Sequence, residues 1–145
     1  MNSQISYSPN QTQKIGKSFA LDIKRKKSGA LVIVLDGDLG AGKTTFTQGF
    51  AKALGIKKRV VSPTFVLMKQ FKINQKGFEM FYHLDCYRIA KPKEILALGF
   101  KEIISDSKNI VLIEWAQNIK RYLPKDKVVI KLDFVDEKTR IISIP

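Results

Sequence analysis

Gly37-Asp38-Leu39-Gly40-Ala41-Gly42-Lys43-Thr44 fits the pattern G-x-x-x-x-G-K-[ST], and no other stretch narrows so far what this chain can fold into. Glycines at those spacings let backbone N–H groups curl around phosphate oxygens with no Cβ in the way. A strand must deliver the chain to such a turn and a helix must carry it away, because the helix N-terminus adds unpaired donors and a partial positive charge. Both flanks are of the required type. Ala30-Leu31-Val32-Ile33-Val34-Leu35 is a short apolar segment of strand character, and Phe46, Phe50, Ala53 and Leu54 recur at helical spacing until Gly55, where a helix should stop. The pattern predicts a phosphate cradle for a nucleoside triphosphate running from Gly37 to Thr45, with Lys43 reaching the β- and γ-phosphates and the Thr44 hydroxyl ligating Mg²⁺.

Hydrolysis needs an acid to hold Mg²⁺ or its waters, usually at the C-terminal end of a neighbouring strand. Two apolar runs end that way: Ile110-Val111-Leu112-Ile113-Glu114 and Met80-Phe81-Tyr82-His83-Leu84-Asp85. Glu114 and Asp85 are therefore the expected catalytic and metal-binding carboxylates beside Thr44, with either one able to orient the attacking water. Ser62-Pro63-Thr64-Phe65 lies between the loop helix and the next strand, where segments that sense a γ-phosphate occur, so Ser62 and Thr64 are switch-like candidates. Arg88 is placed to face phosphates, a partner or solvent. His83, the single histidine, reads as a strand residue rather than a catalyst, and one His with one Cys makes no metal site.

Around these motifs the chain reads as one α/β domain over residues 1–145. Ile15, Phe19 and Ile23 predict a helix near residues 11–26, opened by Ser8-Pro9 or by Thr12. Strand 30–36, the loop and helix 43–54 follow. Residues 64–71 are rich in β formers, residues 74–77 resemble a hairpin turn, and residues 78–84 are the return strand. A short helix over 94–98, a buried strand over 109–115, and a second hairpin of 128–134 and 140–144 complete the series. The expected fold is a P-loop NTPase domain: a mixed central sheet, helices on both faces and antiparallel hairpin additions.

Composition limits the function classes. No apolar run approaches a membrane span, and the polar N-terminus lacks a signal-peptide layout. One cysteine allows no internal disulfide, so a cytoplasmic protein without a membrane role is expected. The net charge of +13 invites an anionic partner. Of the 26 basic residues only 5 are Arg, the side chain that direct base reading favours, so attraction to an acidic or RNA-bearing complex is expected rather than sequence reading. A small-molecule P-loop kinase is the rival class, although the few, scattered arginines give no Arg-rich lid. A GTPase would carry an N-K-x-D motif, which is missing from the sequence.

Taken together, the phosphate loop through Thr45-Phe46, Ser62-Pro63-Thr64-Phe65, His83-Leu84-Asp85-Cys86-Tyr87-Arg88 and Ile113-Glu114-Trp115 resemble, in order and spacing, the TsaE (YjeE) family of bacterial P-loop ATPases. Thr12 and Gly16 fit that family's N-terminal Thr-x-x-x-Gly pattern. Cys86 and Ala116 stand where the family often has Leu and Pro. The resemblance implies a slow Mg-dependent ATPase needed to make threonylcarbamoyladenosine on tRNA, acting on a TsaB–TsaD assembly and meeting tRNA indirectly through it. It further implies Lys43 and its loop on the phosphates, Thr44 and Glu114 on Mg²⁺, Asp85 supporting hydrolysis and Thr12 beside the adenine.

Overall fold

The computed structural model describes residues 2–61 and 67–145. Its elements run β1 (Asn2–Ser6), α1 (Pro9–Asp22), β2 (Leu31–Asp36), α2 (Lys43–Ala53), β3 (Met68–Gln75), β4 (Phe78–Asp85), a 3₁₀ turn (Pro92–Leu98), α3 (Phe100–Ser105), β5 (Asn109–Glu114), a second 3₁₀ segment (Ala116–Tyr122), β6 (Val128–Phe134) and β7 (Arg140–Ile144). The strands follow the order β1-β7-β6-β2-β5-β4-β3 in a seven-stranded mixed sheet. The chain forms two compact units, one of Met1–Ile23, Leu35–Ser62 and Val129–Pro145, the other of Lys24–Val34 and Pro63–Val128.

The first unit is organised by two helices. Ser8 caps α1 by accepting from the Gln11 N–H at 3.1 Å, Pro9 supplies a preset φ at the first helical position, and Gln11 Oε1 accepts from Tyr7 N–H at 2.7 Å. Thr12, Ile15, Gly16 and Ala20 form its buried face. Gly16 and Gly49 let α1 and α2 touch backbone to backbone. A Cβ on Gly49 would lie 2.0 Å from the Gln13 carbonyl oxygen, and one on Gly16 would lie 2.3 Å from that of Phe46. Phe19 packs beside this crossing, 6.3 Å from the Phe46 ring and 6.0 Å from that of Phe50. Gly49→Ala should therefore destabilise the chain. The helix-propensity gain of about 1 kcal/mol is smaller than the overpacking cost of roughly 1–3 kcal/mol where backbone atoms must move. A thermal melt checks it, with a lower midpoint expected.

The same unit holds β1, β7 and β6 as antiparallel neighbours, with Asn2 opposite Ile144 and Phe134 opposite Arg140. The turn joining β6 to β7 is built on Asp136, whose Oδ1 accepts from Lys138 N–H at 2.9 Å and Thr139 N–H at 2.8 Å. Those bonds, the Lys138 one first, hold the Asp136 carboxyl below the usual carboxylate range.

In the second unit β3 and β4 form the expected hairpin. Its turn residues are Lys76 and Gly77, at φ 55° and 86°, the paired positive φ values of a tight two-residue turn. β4 and β5 run parallel with Asp85 opposite Glu114. Every residue of β5 is buried, which explains its unbroken apolar sequence. Phe78, Phe81 and Leu84 from β4 join Phe100 and Ile95 in the core.

Candidate functional site

The candidate residues fall into two groups, one in each unit. In the first unit β2 ends at Asp36 and α2 begins at Lys43, so the loop Gly37–Gly42 spans the gap the sequence motif requires. Gly40 and Gly42 take φ values of 80° and 97°, the left-handed region that side chains disfavour. A Cβ on Gly37 would come within 2.6 Å of the Leu132 carbonyl oxygen and 2.9 Å of Ala41 Cβ, so this position must be Gly for packing as well. A Cβ on Gly40, by contrast, would meet nothing within 4 Å. The loop is closed by Ala41 N–H donating to the Asp38 carbonyl at 3.0 Å, and Phe46 N–H donates to Gly42 O at 2.9 Å to start the helix. Asp38 and Leu39 are exposed on the loop, Leu39 at 72%.

Lys43 is buried, and its ammonium donates to the Gly37 carbonyl and, at 3.4 Å, to that of Asp38. A buried ammonium needs such acceptors, and phosphate oxygens brought into the loop would satisfy it more strongly. Thr44 and Thr45, half-buried, open the first turn of α2 beside it. Gly42 offers α2 no side-chain cap, so the helix N-terminus keeps donors for a ligand.

Thr12 is buried next to this loop. Its hydroxyl is bound to Ser6 Oγ at 2.8 Å, and its methyl carbon lies 3.8 Å from where a Gly42 Cβ would be. A cleft of about 40 Å³ lies here, and Thr12, Gly42, Thr45, Glu137, Lys138 and Arg140 are among its lining residues. Arg140 is a residue that the motifs did not single out. Its Nε donates to the Gly40 carbonyl at 3.0 Å, its Nη1 donates to Asp136 O at 2.5 Å and Thr139 O at 3.0 Å, and its guanidinium lies 4.6 Å from the Phe134 ring centroid. The side chain thus turns the crest carbonyl of the loop toward the β6–β7 hairpin.

The second unit holds the acids. Asp85 and Glu114 are in register at the ends of adjacent parallel strands, which places their backbones about 4.8 Å apart. Glu114 is buried, and its Oε2 is 2.7 Å from His83 Nε2. His83 Nδ1 has no hydrogen-bond partner among the described residues. The tautomer that fits carries its proton on Nε2 and donates it to Glu114, because an unprotonated ring nitrogen is cheaper to leave unpartnered than an N–H. His83 is therefore a strand residue, as its sequence position implied, and also the residue that orients Glu114.

Asp85 is half-buried and accepts from Tyr87 N–H at 3.0 Å through Oδ1. Behind it Cys86 N–H donates to the Glu114 carbonyl at 3.0 Å, and Asn118 Nδ2 donates to the Cys86 carbonyl at 2.8 Å. Trp115 takes φ 57°, and its ring lies 4.8 Å from that of Tyr87. Burial, and next the charge of Asp85, push the Cys86 thiol up to about 12, so it remains a thiol at neutral pH and offers no nucleophile. Arg88 is exposed.

Among the described residues no group of three or more His, Cys, Asp and Glu converges to hold a metal. Such a cluster is not what Mg²⁺ requires: it keeps several waters and takes one or two carboxylates together with substrate phosphates. The hard oxygen donors of Thr44, Asp85 and Glu114 are of the right chemistry for it. The switch-like candidates Ser62 and Thr64 lie outside the described residues. No helix among the described residues is long and apolar enough to cross a membrane.

The sequence model of the family described as Threonylcarbamoyl adenosine biosynthesis protein TsaE matches residues 6–142. The tRNA threonylcarbamoyladenosine biosynthesis protein TsaE of Haemophilus influenzae is 35% identical over 144 residues, covering 97% of this chain and 89% of that protein. The protein of the same name from Bacillus subtilis is 40% identical over 132 residues, covering 90% of this chain and 77% of the relative. The crystal structure of Bacillus subtilis YdiB superposes with a TM-score of 0.70 at 32% identity, covering 97% of this chain and 82% of that one.

Proposed function

This chain belongs to the TsaE family, and on that premise we propose that it is a Mg-dependent ATPase, slow on its own, that serves the threonylcarbamoyladenosine modification of tRNA by acting on a TsaB–TsaD complex. The observation that carries the nucleotide reading is the glycine loop. Gly40 is left-handed with empty space where a Cβ would point, and a buried ammonium stands at the start of an uncapped helix. That is the shape and charge of a polyphosphate cradle.

In this reading the backbone N–H groups from Asp38 to Thr45 bind the α- and β-phosphates, and Lys43 exchanges its loop carbonyls for β- and γ-phosphate oxygens. Mg²⁺, when bound, neutralises charge on those phosphates and is served by Thr44, Glu114 and Asp85. His83 holds Glu114 in one orientation, so the acid loses little freedom when it engages. Thr12 lies by the nucleoside. Ser62 and Thr64 are the residues proposed to respond to the γ-phosphate.

A chain that binds and polarises ATP but brings no arginine finger to the γ-phosphate turns over slowly, and a partner that orders loops or adds such a charge accelerates it. The +13 charge favours encounter with an RNA-bearing complex and makes that encounter salt-sensitive. The test is ATP turnover with and without TsaB–TsaD, run beside multi-turnover tRNA modification with wild type, Lys43→Ala and no added chain. Turnover should rise with the complex, and modification should continue past the first round with wild type only. Equal modified tRNA in all three reactions overturns the reading and makes a small-molecule kinase the next hypothesis to screen.

Arg140→Ala should weaken ADP binding by about tenfold, because the loop crest loses a charge-assisted bond of roughly 1.5–3 kcal/mol that presets its shape. Calorimetric titration with Mg·ADP checks this, and an unchanged affinity would make Arg140 a hairpin residue only.

A further inference from the structure

α2 has a second, cationic end. Its chain termination is built: Gly55, at φ 83°, donates its N–H to Lys52 O at 3.0 Å, and Ile56 N–H donates to Ala51 O at 3.1 Å. This crossed pair of bonds reverses the chain and satisfies the helix carbonyls. After the reversal, Lys57, Lys58 and Arg59 line an open cavity of about 410 Å³ together with Lys52, Gln13 and Gln48. Its walls are held in place. Gln48 Nε2 donates to Val60 O at 3.0 Å, Gln13 Nε2 donates to Gln48 Oε1 at 3.1 Å, and Lys52 Nζ donates to Gln13 Oε1 at 3.2 Å. Gln13, one of the lining residues, also makes the close backbone approach to Gly49 that joins α1 to α2.

The charge of this cavity is unbalanced. Four cations line it, no carboxylate does, and among the described residues no carboxylate pairs with Lys52, Lys57, Lys58 or Arg59. A concave wall of one sign concentrates the opposite ion. We propose that this cavity is a second anion site, separate from the glycine loop at the other end of α2, and that it takes a small polyphosphate such as inorganic pyrophosphate. Its volume falls in the range of about 300–1,000 Å³ typical of ligand pockets. Adjacent phosphates match adjacent cations, and Arg59 adds a planar fork for phosphate oxygens. A single-stranded RNA fits less well: no aromatic residue lines the cavity, so bases would find no ring to stack on.

The experiment is calorimetric titration of inorganic pyrophosphate at about 0.15 M salt, where loose surface attraction is screened. The full chain is used twice, once saturated with ADP so that the glycine loop is filled, and once as Lys43→Ala. One pyrophosphate should bind in each case. K57Q/K58Q/R59Q should weaken it by about tenfold or more while ADP affinity and the melting midpoint stay unchanged. No binding to either form, or equal binding by the triple variant, overturns the proposal. A short unstructured RNA that displaces pyrophosphate at lower concentration than pyrophosphate itself requires would also overturn it, assigning the cavity to a nucleic-acid backbone.

Discussion

ATP turnover should fall by about a hundredfold or more when Lys43 is replaced by Ala, because a charge-assisted bond worth roughly 1.5–3 kcal/mol in the ground state grows as charge spreads over the transferred phosphoryl group. The structure supplies the competing effect that must be separated. Lys43 ties the Gly37 and Asp38 carbonyls together, so its loss also loosens the loop. The two effects differ in where they appear. Loss of the charge weakens ATP more than ADP and slows turnover, since the ammonium faces the γ-phosphate as well as the β-phosphate. Loss of loop order weakens ADP and ATP alike. Phosphate release, with calorimetry of both nucleotides and a thermal melt, distinguishes them. The expected result is a large loss of turnover with a melting midpoint close to wild type, and turnover at the wild-type rate would remove the phosphate-loop assignment.

The glycine loop between β2 and α2 was legible in the sequence because its requirements are local. Left-handed glycines, a preceding strand and a following helix are all written within about 25 residues, and positive φ selects Gly almost alone. The hairpin of β3 and β4 was legible for the same reason, although β3 (Met68–Gln75) continues past residue 71, where the expected strand ended; residues 64–66 of that expectation lie outside the described residues. Runs of β formers attract a strand assignment, yet the turn chemistry at Lys76-Gly77 sets where the strand ends. α1 was placed by its apolar spacing but ends at Asp22, because the basic run that follows has nothing to bury. β1 was not anticipated. Asn2–Ser6 buries only Ser6, so it has no apolar alternation to see, and its order comes from backbone pairing with β7. α3 has six residues, too few for a helical period to emerge.

The same rule sorts the site residues. Arg140 reaches Gly40 across 100 positions of sequence and His83 reaches Glu114 across 31. No local pattern encodes either contact. The His83–Glu114 bond follows from the parallel register that sets Asp85 opposite Glu114, because residues two apart on one strand share a face. A histidine two positions before a strand-ending acid was the available signal, and it becomes informative only once the neighbouring strand is known to end in an acid too.

That bond also decides how the acidic half of the site should be tested. Glu114→Ala would strand the His83 N–H in the core at a cost of about 1–3 kcal/mol, so lost activity could reflect lost structure. Glu114→Gln keeps an acceptor for His83 and removes only the charge. It should bind Mg·ADP within a few-fold of wild type, melt close to it, and hydrolyse ATP about a hundredfold more slowly, because Mg²⁺ and the attacking water lose their carboxylate. His83→Gln should be milder and different in kind. The carboxylate remains but is no longer held, so the Mg²⁺ concentration for half-maximal turnover should rise by about tenfold, while turnover at saturating Mg²⁺ recovers most of its rate. Asp85→Asn completes the set, since its oxygen can still accept from Tyr87 N–H while the charge is gone. If Glu114→Gln is slow at every Mg²⁺ concentration and Asp85→Asn is rescued by excess Mg²⁺, Glu114 orients the water and Asp85 serves the metal; the reverse pattern exchanges the roles. Wild-type hydrolysis by both variants would leave the metal site without its acids and would overturn the assignment of both.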